Sequence, residues 1–372
     1  MTSTALEIAR LACFVPKAVD IEHGLAGQKF EDRNWAMTLA QCDVRWHLGM
    51  PAEQLPYADG DMQRFGVGAE APELPFPDLA NAKAFVAATK LRSTCICDAT
   101  MSASDMAARA LQSLLDACLA SGETPKPDFL LYAHVQPEQN SNLNPAFRLQ
   151  HLLGDEEALP LAISQNDVVS TFRALELALR LVQAGEAQEL VLVAADKCML
   201  PAPRRLGDIT LLGDAAGAAW LRRAGPGSSL TLHDVLVQHV DHEPLSQLDP
   251  AQLASLEAQY VEAAVESIKA LLSRNGMSGT DLGAVVPQRL QRRMMQAVHE
   301  GLGIPATRIC EHDLASLGNL ASADLLVSLE ALLRGPAPVR RDMWLLAWSI
   351  GIGGYVGSAL LRWRAGGEAK PR

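Results

Sequence analysis

Gly213-Asp214-Ala215-Ala216-Gly217-Ala218-Ala219-Trp220-Leu221 is the stretch from which the fold of this chain is read. It follows the apolar run Ile209–Leu212, and its small residues let two backbones approach closely. A second run, Gly351-Ile352-Gly353-Gly354-Tyr355-Val356-Gly357-Ser358-Ala359-Leu360-Leu361, is a glycine-rich turn feeding a terminal apolar strand that ends at Arg362-Trp363. Between Leu161 and Asp196 the pattern predicts a strand (161–164), a sharp turn (165–169), a long apolar helix (171–184) and another strand (189–194). Leu6–Val15 reads as the first core strand, stopped by Pro16-Lys17. From about Asp249 through Arg274, apolar residues at helical spacing (Leu256, Tyr260, Ala264, Ile268, Leu271) predict a helix leading to a strand that carries Val285 and Val286.

Composition narrows the class. At 372 residues and 49% hydrophobic, the chain can bury one or two substantial cores. A net charge of -11 excludes a general nucleic-acid surface. The seven cysteines, at 13, 42, 95, 97, 118, 198 and 310, form no disulfide ladder, so reduced thiols and a cytoplasmic location are expected. Cys95-Ile96-Cys97 is not a metal-binding pair, no metal is expected, and a strand with both sulfurs on one face accounts for it. Leu6–Val15 is too short and too charged for a leader or a membrane span, and no apolar stretch of about 18 residues occurs.

Together the two glycine-rich runs resemble the two halves of the ketoacyl synthase III branch of the thiolase fold, whose motifs read roughly GDGAGA and GGGxxxGSAL. The resemblance implies an α/β fold of two duplicated βαβ-rich halves with central sheets packed between helices, an αβαβα layering. The halves would be 1–223, with an insertion around 24–88, and 224–372, divided at the turn-forming Ala224-Gly225-Pro226-Gly227-Ser228-Ser229. In the family the nucleophilic Cys stands at the turn before the long helix, where the helix dipole and backbone amides favour a thiolate. Counting back from Asp196 without a gap puts Val168 there. The family's VPHQAN motif is similar to Val286-Pro287-Gln288-Arg289-Leu290-Gln291, so Gln288 replaces the His. Its GN motif stands as Gly318-Asn319, so Asn319 alone survives of the Cys, His and Asn set. The amides of Val168 and Gly353 fall at the positions that form the family's oxyanion hole.

A valine forms no thioester, and a glutamine donates a hydrogen bond but shuttles no proton near neutral pH. Loss of one member of such a set costs on the order of 10⁴ to 10⁶ in rate. Backbone donors outlast side-chain change, so a carbonyl-binding pocket is expected to persist. His134, after the apolar strand 129–132, is the candidate replacement base; Asp167 reads as a helix cap, Ser170 as pointing away from the lost thiol, and His312 as a surface residue. No bound cofactor is expected, and the resemblance makes acyl carrier protein (acyl-ACP) or acyl-coenzyme A (acyl-CoA) the candidate substrates. Carrier proteins are acidic, so a docking patch would be local, at Arg204 and Arg205 or at Arg289, Arg292 and Arg293.

Three functions from different classes follow. The first is a non-condensing partner subunit of fatty-acyl or polyketide-type secondary metabolism, in a homodimer or in a heterodimer with a Cys-bearing ketosynthase-like chain. The second is an acyltransferase moving an acyl group from acyl-ACP or acyl-CoA to a hydroxyl or amine, with His134 as base. The third is an acyl-carrier or metabolite-binding protein without turnover.

Overall fold

The computed structural model describes residues 5–27, 75–98, 101–135, 145–198, 204–240, 250–310, 313, 315–334, 342–351 and 353–364. A first series of elements runs β1 (Leu6–Phe14), β2 (Ala18–Asp20), α1 (Leu79–Thr89), β3 (Ser93–Cys95), α2 (Ala103–Ala120), β4 (Phe129–Ala133), α3 (Pro145–Leu153), β5 (Leu159–Ile163), α4 (Ser170–Ala184), β6 (Glu189–Asp196), β7 (Arg205–Leu206), β8 (Thr210–Leu211) and β9 (Ala215–Arg223). A second runs β10 (Leu230–His239), α5 (Pro250–Arg274), β11 (Leu282–Pro287), α6 (Arg292–Gly301), α7 (Asp324–Arg334), β12 (Met343–Gly351) and β13 (Tyr355–Trp363).

The two series repeat one plan. β1-β9-β6-β4 and β10-β13-β12-β11 are the same succession of strands, the first series adding β5 at its edge, and they join edge to edge in the order β11-β12-β13-β10-β1-β9-β6-β4-β5. The seam is short: β1 and β10 pair only through Leu6↔Leu232 and Glu7↔Thr231. The two expected sheets are therefore continuous at one corner and diverge from it.

Helices fill three layers. α2 and α3 cover one outer face, where Met106, Leu111 and Leu114 pack on Leu130, Val191 and Val193. α5 and α6 cover the other, with Ile268, Leu271 and Met294 on Val285, Leu346 and Trp348. Between them lie α4 and α7, whose Phe172, Leu175, Leu179, Leu326 and Leu329 share one core with strands of both series. That is the αβαβα order. Helix α4 forms where expected because Phe172, Leu175, Ala178, Leu179 and Val182 recur at helical spacing and are all buried, each large one contributing about 2 kcal/mol over exposure. It ends at Gly185, whose φ of 81° lets its N–H return to the carbonyls of Leu181 and Val182.

The two glycine-rich runs explain how helices reach the centre. Gly217 is the third residue of β9, and a Cβ there would stand 2.7 Å from Leu326 Cβ on α7. Gly357 is the third residue of β13, and a Cβ there would stand 2.7 Å from Val169 Cγ1 and 2.8 Å from the Phe172 ring. Each series thus opens a notch for the central helix of the other.

Part of the expected insertion, residues 28–74, lies outside the described residues. Its flanks pack Ile21, Leu25, Phe76 and Phe85 on Leu211. The cysteine expectation needs correction. β3 ends at Cys95, which packs with Ala215 and Leu320, whereas Cys97 lies beyond the strand against Met106 and Tyr132. All six described cysteines are free; Cys42 is outside the described residues.

Candidate functional site

A cavity opens where α4 and α7 begin, between the ends of β11 and β12. It is narrow, with closed room of about 10 Å³, about that of one water, and is lined by Val168, Phe172, Val286, Pro287, Gln288, Ala321, Asp324, Leu325, Trp348 and Ser349. Val168 and Gln288 both line it, whereas Asn319 and His134 are not among the lining residues.

Val168 is the middle residue of a 3-10 turn, Asp167–Val169, that enters α4. The turn begins in the left-handed region, with φ 52° at Asp167, which aims that carboxylate back across the helix entrance. One oxygen, Oδ1, accepts the Val168 N–H at 2.8 Å, and the other, Oδ2, accepts the Gly353 N–H at 2.9 Å. The two amides expected to receive a substrate carbonyl thus converge on one carboxylate of the chain itself. The local capping expectation for Asp167 covers only half of this arrangement. Ser170 turns away: its hydroxyl donates to the Asp167 carbonyl at 2.7 Å. The Gly354 N–H donates to Tyr260 Oη at 2.9 Å, and burial, reinforced by the nearby Asp167 charge, raises the Tyr260 phenol well above its ordinary range.

Gln288 directly follows β11 and is 3% exposed. Its Oε1 accepts the Ile350 N–H at 2.8 Å, which fixes the amide orientation because only the oxygen can face a donor. Its Nε2 has no hydrogen-bond partner although it is buried. The neighbouring carboxylate, Asp324, is neutralised by Arg289, whose backbone N–H donates to Oδ2 at 2.9 Å and whose guanidinium bonds Oδ1. Trp348 closes the wall and donates its indole N–H to His299 Nε2 at 3.2 Å. Burial pushes His299 down to about 4, so the ring is neutral at pH 7.

Asn319 serves the fold. Its Oδ1 accepts the Ala321 N–H at 2.9 Å, and its backbone ties to Leu211 and Gly213. His134 caps the end of β4, stacked on Tyr132 with ring centroids 5.1 Å apart. Beside it Asp196 accepts the Val135 N–H at 2.7 Å, the Ser322 N–H at 2.9 Å and the Ser322 hydroxyl. Burial raises the Asp196 carboxyl, and the Ser322 and Val135 donors oppose that shift. His312 lies outside the described residues.

Two docking expectations need correction. Arg204 is paired with the buried Asp214 at 3.0 Å, and Arg289 is buried on Asp324, so neither offers charge to a partner. Arg205 is held over the Phe76 and Phe85 rings and bonds Asp208. Only Arg292 and Arg293 of those candidates are exposed, and Arg293 pairs with Glu257. No cysteine lines the cavity, and burial pushes Cys95 up to about 11 and Cys97 to about 12, so neither supplies a thiolate in place of the missing one. Among the described residues no cluster of His, Cys, Asp and Glu could hold a metal, and no helix is long and apolar enough to cross a membrane.

Known proteins bear on this geometry. Residues 272–363 match the family 3-oxoacyl-[acyl-carrier-protein (ACP)] synthase III C terminal. A β-ketoacyl-[acyl-carrier-protein] synthase III of Nitratidesulfovibrio vulgaris is 28% identical over 207 residues, which span 49% of this chain and 61% of that relative. Its counterpart in Oceanobacillus iheyensis is 26% identical across 74% of this chain and 88% of its own length. The crystal structure of 3-oxoacyl-(acyl carrier protein) synthase III from Pseudomonas aeruginosa superposes with a TM-score of 0.68, covering 98% of this chain and all of that one at 20% identity. This chain has the thiolase fold, and residues 272–363 are similar to ketoacyl-ACP synthase III. OleA from Xanthomonas campestris, solved with acetamide, shares the fold at TM-score 0.68 and 14% identity over 98% of this chain and 100% of its own, and the acyltransferase ChlB3 at 0.65 and 21% over 97% and 98%.

Within that synthase III-like frame, sequence reasoning located Val168 and Gln288 but missed the Asp167 bridge and Trp348. The signal for Asp167 was an acidic residue directly before the nucleophile position, with a distant Gly-Ile-Gly-Gly turn to receive it.

Proposed function

We propose that this protein is a non-condensing member of the synthase III-like group, serving as the partner subunit of a Cys-bearing relative and holding acyl groups without forming a thioester. The observation that carries this reading is the Asp167 carboxylate on the Val168 and Gly353 amides, beside a valine and a glutamine where the family keeps its nucleophile and base. A condensation through this cavity would lack a nucleophile, a proton carrier and a free pair of oxyanion donors at once. The proposed class is fatty-acyl or polyketide-type metabolism, with acyl-ACP or acyl-CoA as the proposed source of the acyl group; the proposed location is cytoplasmic, and the proposed domain division remains at residues 223 and 224.

A second reading, direct acyl transfer to a hydroxyl or amine, draws support from the likeness to ChlB3. It requires a base at the cavity, and His134 is not among the residues that line it.

Intact-protein mass spectrometry after incubation with acyl-ACP and acyl-CoA, with co-purification from the native host, tests both readings. The expected result is an unmodified chain accompanied by a stoichiometric Cys-bearing relative. A stable acyl adduct, or a transfer product made by the isolated chain and lost in His134→Ala, would overturn the partner reading in favour of the second.

A further inference from the structure

Gln288 carries a feature that the missing histidine does not explain. Its Nε2 is a buried donor with no hydrogen-bond partner in the protein, and the residue lines a closed space of about 10 Å³. We infer that this space is a binding site for one water molecule, which accepts the Gln288 Nε2–H and donates to Asp324 and Ser349. A solvent bridge then fastens the end of β11 to the start of α7 and to β12. The bridge is independent of the partner-subunit reading.

The need for an acceptor follows from how Gln288 is held. Its backbone N–H donates to the Trp348 carbonyl at 3.0 Å, and its Oε1 accepts the Ile350 N–H at 2.8 Å. Those two bonds fix the amide plane. Turning it over would set Nε2 against the Ile350 N–H, donor against donor. Nε2 is therefore the group left to find a partner, and at 3% exposure the residue is shut off from bulk solvent. A buried N–H that goes unpaired gives up its hydration for nothing, and folded proteins pair such groups with protein or with ordered water.

Size and chemistry select the ligand. About 10 Å³ of closed room is about one probe sphere, the space that a single water needs. Cavities that stay dry are apolar, whereas this one sets Gln288, Asp324 and Ser349 among Val168, Phe172 and Trp348. A water accepting from Gln288 has two hydrogens to give, and the Asp324 carboxylate and the Ser349 hydroxyl supply acceptors within the lining. Asp324 is held in place by Arg289, whose backbone N–H reaches Oδ2 at 2.9 Å and whose guanidinium bonds Oδ1, and a carboxylate accepts further bonds beyond those two. A cation would meet the Gln288 donor, and an anion would stand against the Asp324 carboxylate. Neutral water suits both walls. Val168 contributes hydrocarbon to the same lining, so a longer side chain there competes with the water for room.

Atomic-resolution crystallography of the full chain reads the site directly. One fully occupied density peak is expected about 2.7–3.2 Å from Gln288 Nε2. An empty space, a protein acceptor on Nε2, or density larger than one water would overturn the proposed bridge. Urea unfolding of Val168→Ile, Gln288→Met and the double variant gives a second measurement. The methylene added by Val168→Ile displaces the water and strands Nε2, so the urea midpoint should fall. With Gln288→Met the donor is gone, and the same added methylene fills dry space, so the midpoint should hold or rise. Equal shifts from Val168→Ile in both backgrounds would mean that no water is coupled to Gln288, and the bridge fails. Either failure leaves the partner-subunit reading to its own test by mass spectrometry and co-purification.

Discussion

The turn Asp167–Val169 that enters α4 and the turn Ala321–Ser322–Ala323 that enters α7 occupy matching places in the two series, and both start in the left-handed region, at φ 52° and 49°. Both bring amides to a helix N-terminus, and both satisfy them with a carboxylate. The supplier differs. At the second turn it is Asp196, the last residue of β6, reaching across to Ser322. At the first turn the matching strand end is Gly351 of β12, and the carboxylate comes from the turn itself, at Asp167. One anion is built into the sheet and enclosed; the other is half-buried beside the exposed Gly353. The Thr171 hydroxyl, donating to the Ser322 carbonyl, ties the two turns together. The same electrostatic need is thus met once as architecture and once as part of a site.

The sharpest way to break this comparison is Asp196→Ala. It leaves the Val135 and Ser322 N–H groups without their acceptor and the Ser322 hydroxyl with only the Ala133 carbonyl, so a loss of roughly 3–5 kcal/mol is expected in urea unfolding. A loss under about 1 kcal/mol would mean that the enclosed anion is not architectural. Next come the two notches. Gly357→Ala forces a methyl against Val169 and Phe172, and Gly217→Ala forces one against Leu326, each costing about 2–3 kcal/mol if the repeat is energetically as well as topologically even. A clear inequality between the two melting shifts would show that one series carries the packing.

pH sharpens the picture from the α6 side. The folded His299 sits at about 4 and its unfolded value at 6.5, so its contribution is complete above about pH 6.5 and lost as pH falls toward 4. That amounts to about 2 kcal/mol between about pH 7 and pH 5. His299→Gln should flatten this slope, read as the pH dependence of the urea midpoint. The smallest effect is expected from Asp167→Ala, about 1 kcal/mol, since water can take over at Gly353. If it destabilises as much as Asp196→Ala, the distinction between the two anions collapses.

Much of this was legible in the amino-acid sequence, for physical reasons that also mark the limits. The strand, turn, helix and strand between Leu161 and Asp196 lie within about two residues of expectation at most ends, because helical periodicity and a glycine stop are local signals. Val168 and Gln288 were found by counting along motifs, and they do share a wall. Asp167 was read as a local cap because the donor at Gly353 is 186 positions away and leaves no mark in local spacing. Arg204 and Arg289 looked like surface charge for the same reason: their partners, Asp214 and Asp324, become neighbours only when the sheets form. Asn319 kept its motif, yet its carboxamide oxygen is committed to the turn at Ala321.

The notches at Gly217 and Gly357 carry a consequence for how such a protein can change over time. Neither glycine's crossing involves the Val168 or Gln288 side chain. Outline and chemistry are thus inherited through separate positions. A lineage can exchange the side chains at positions 168 and 288 in single steps while the packing of the two central helices against both series stays as it is.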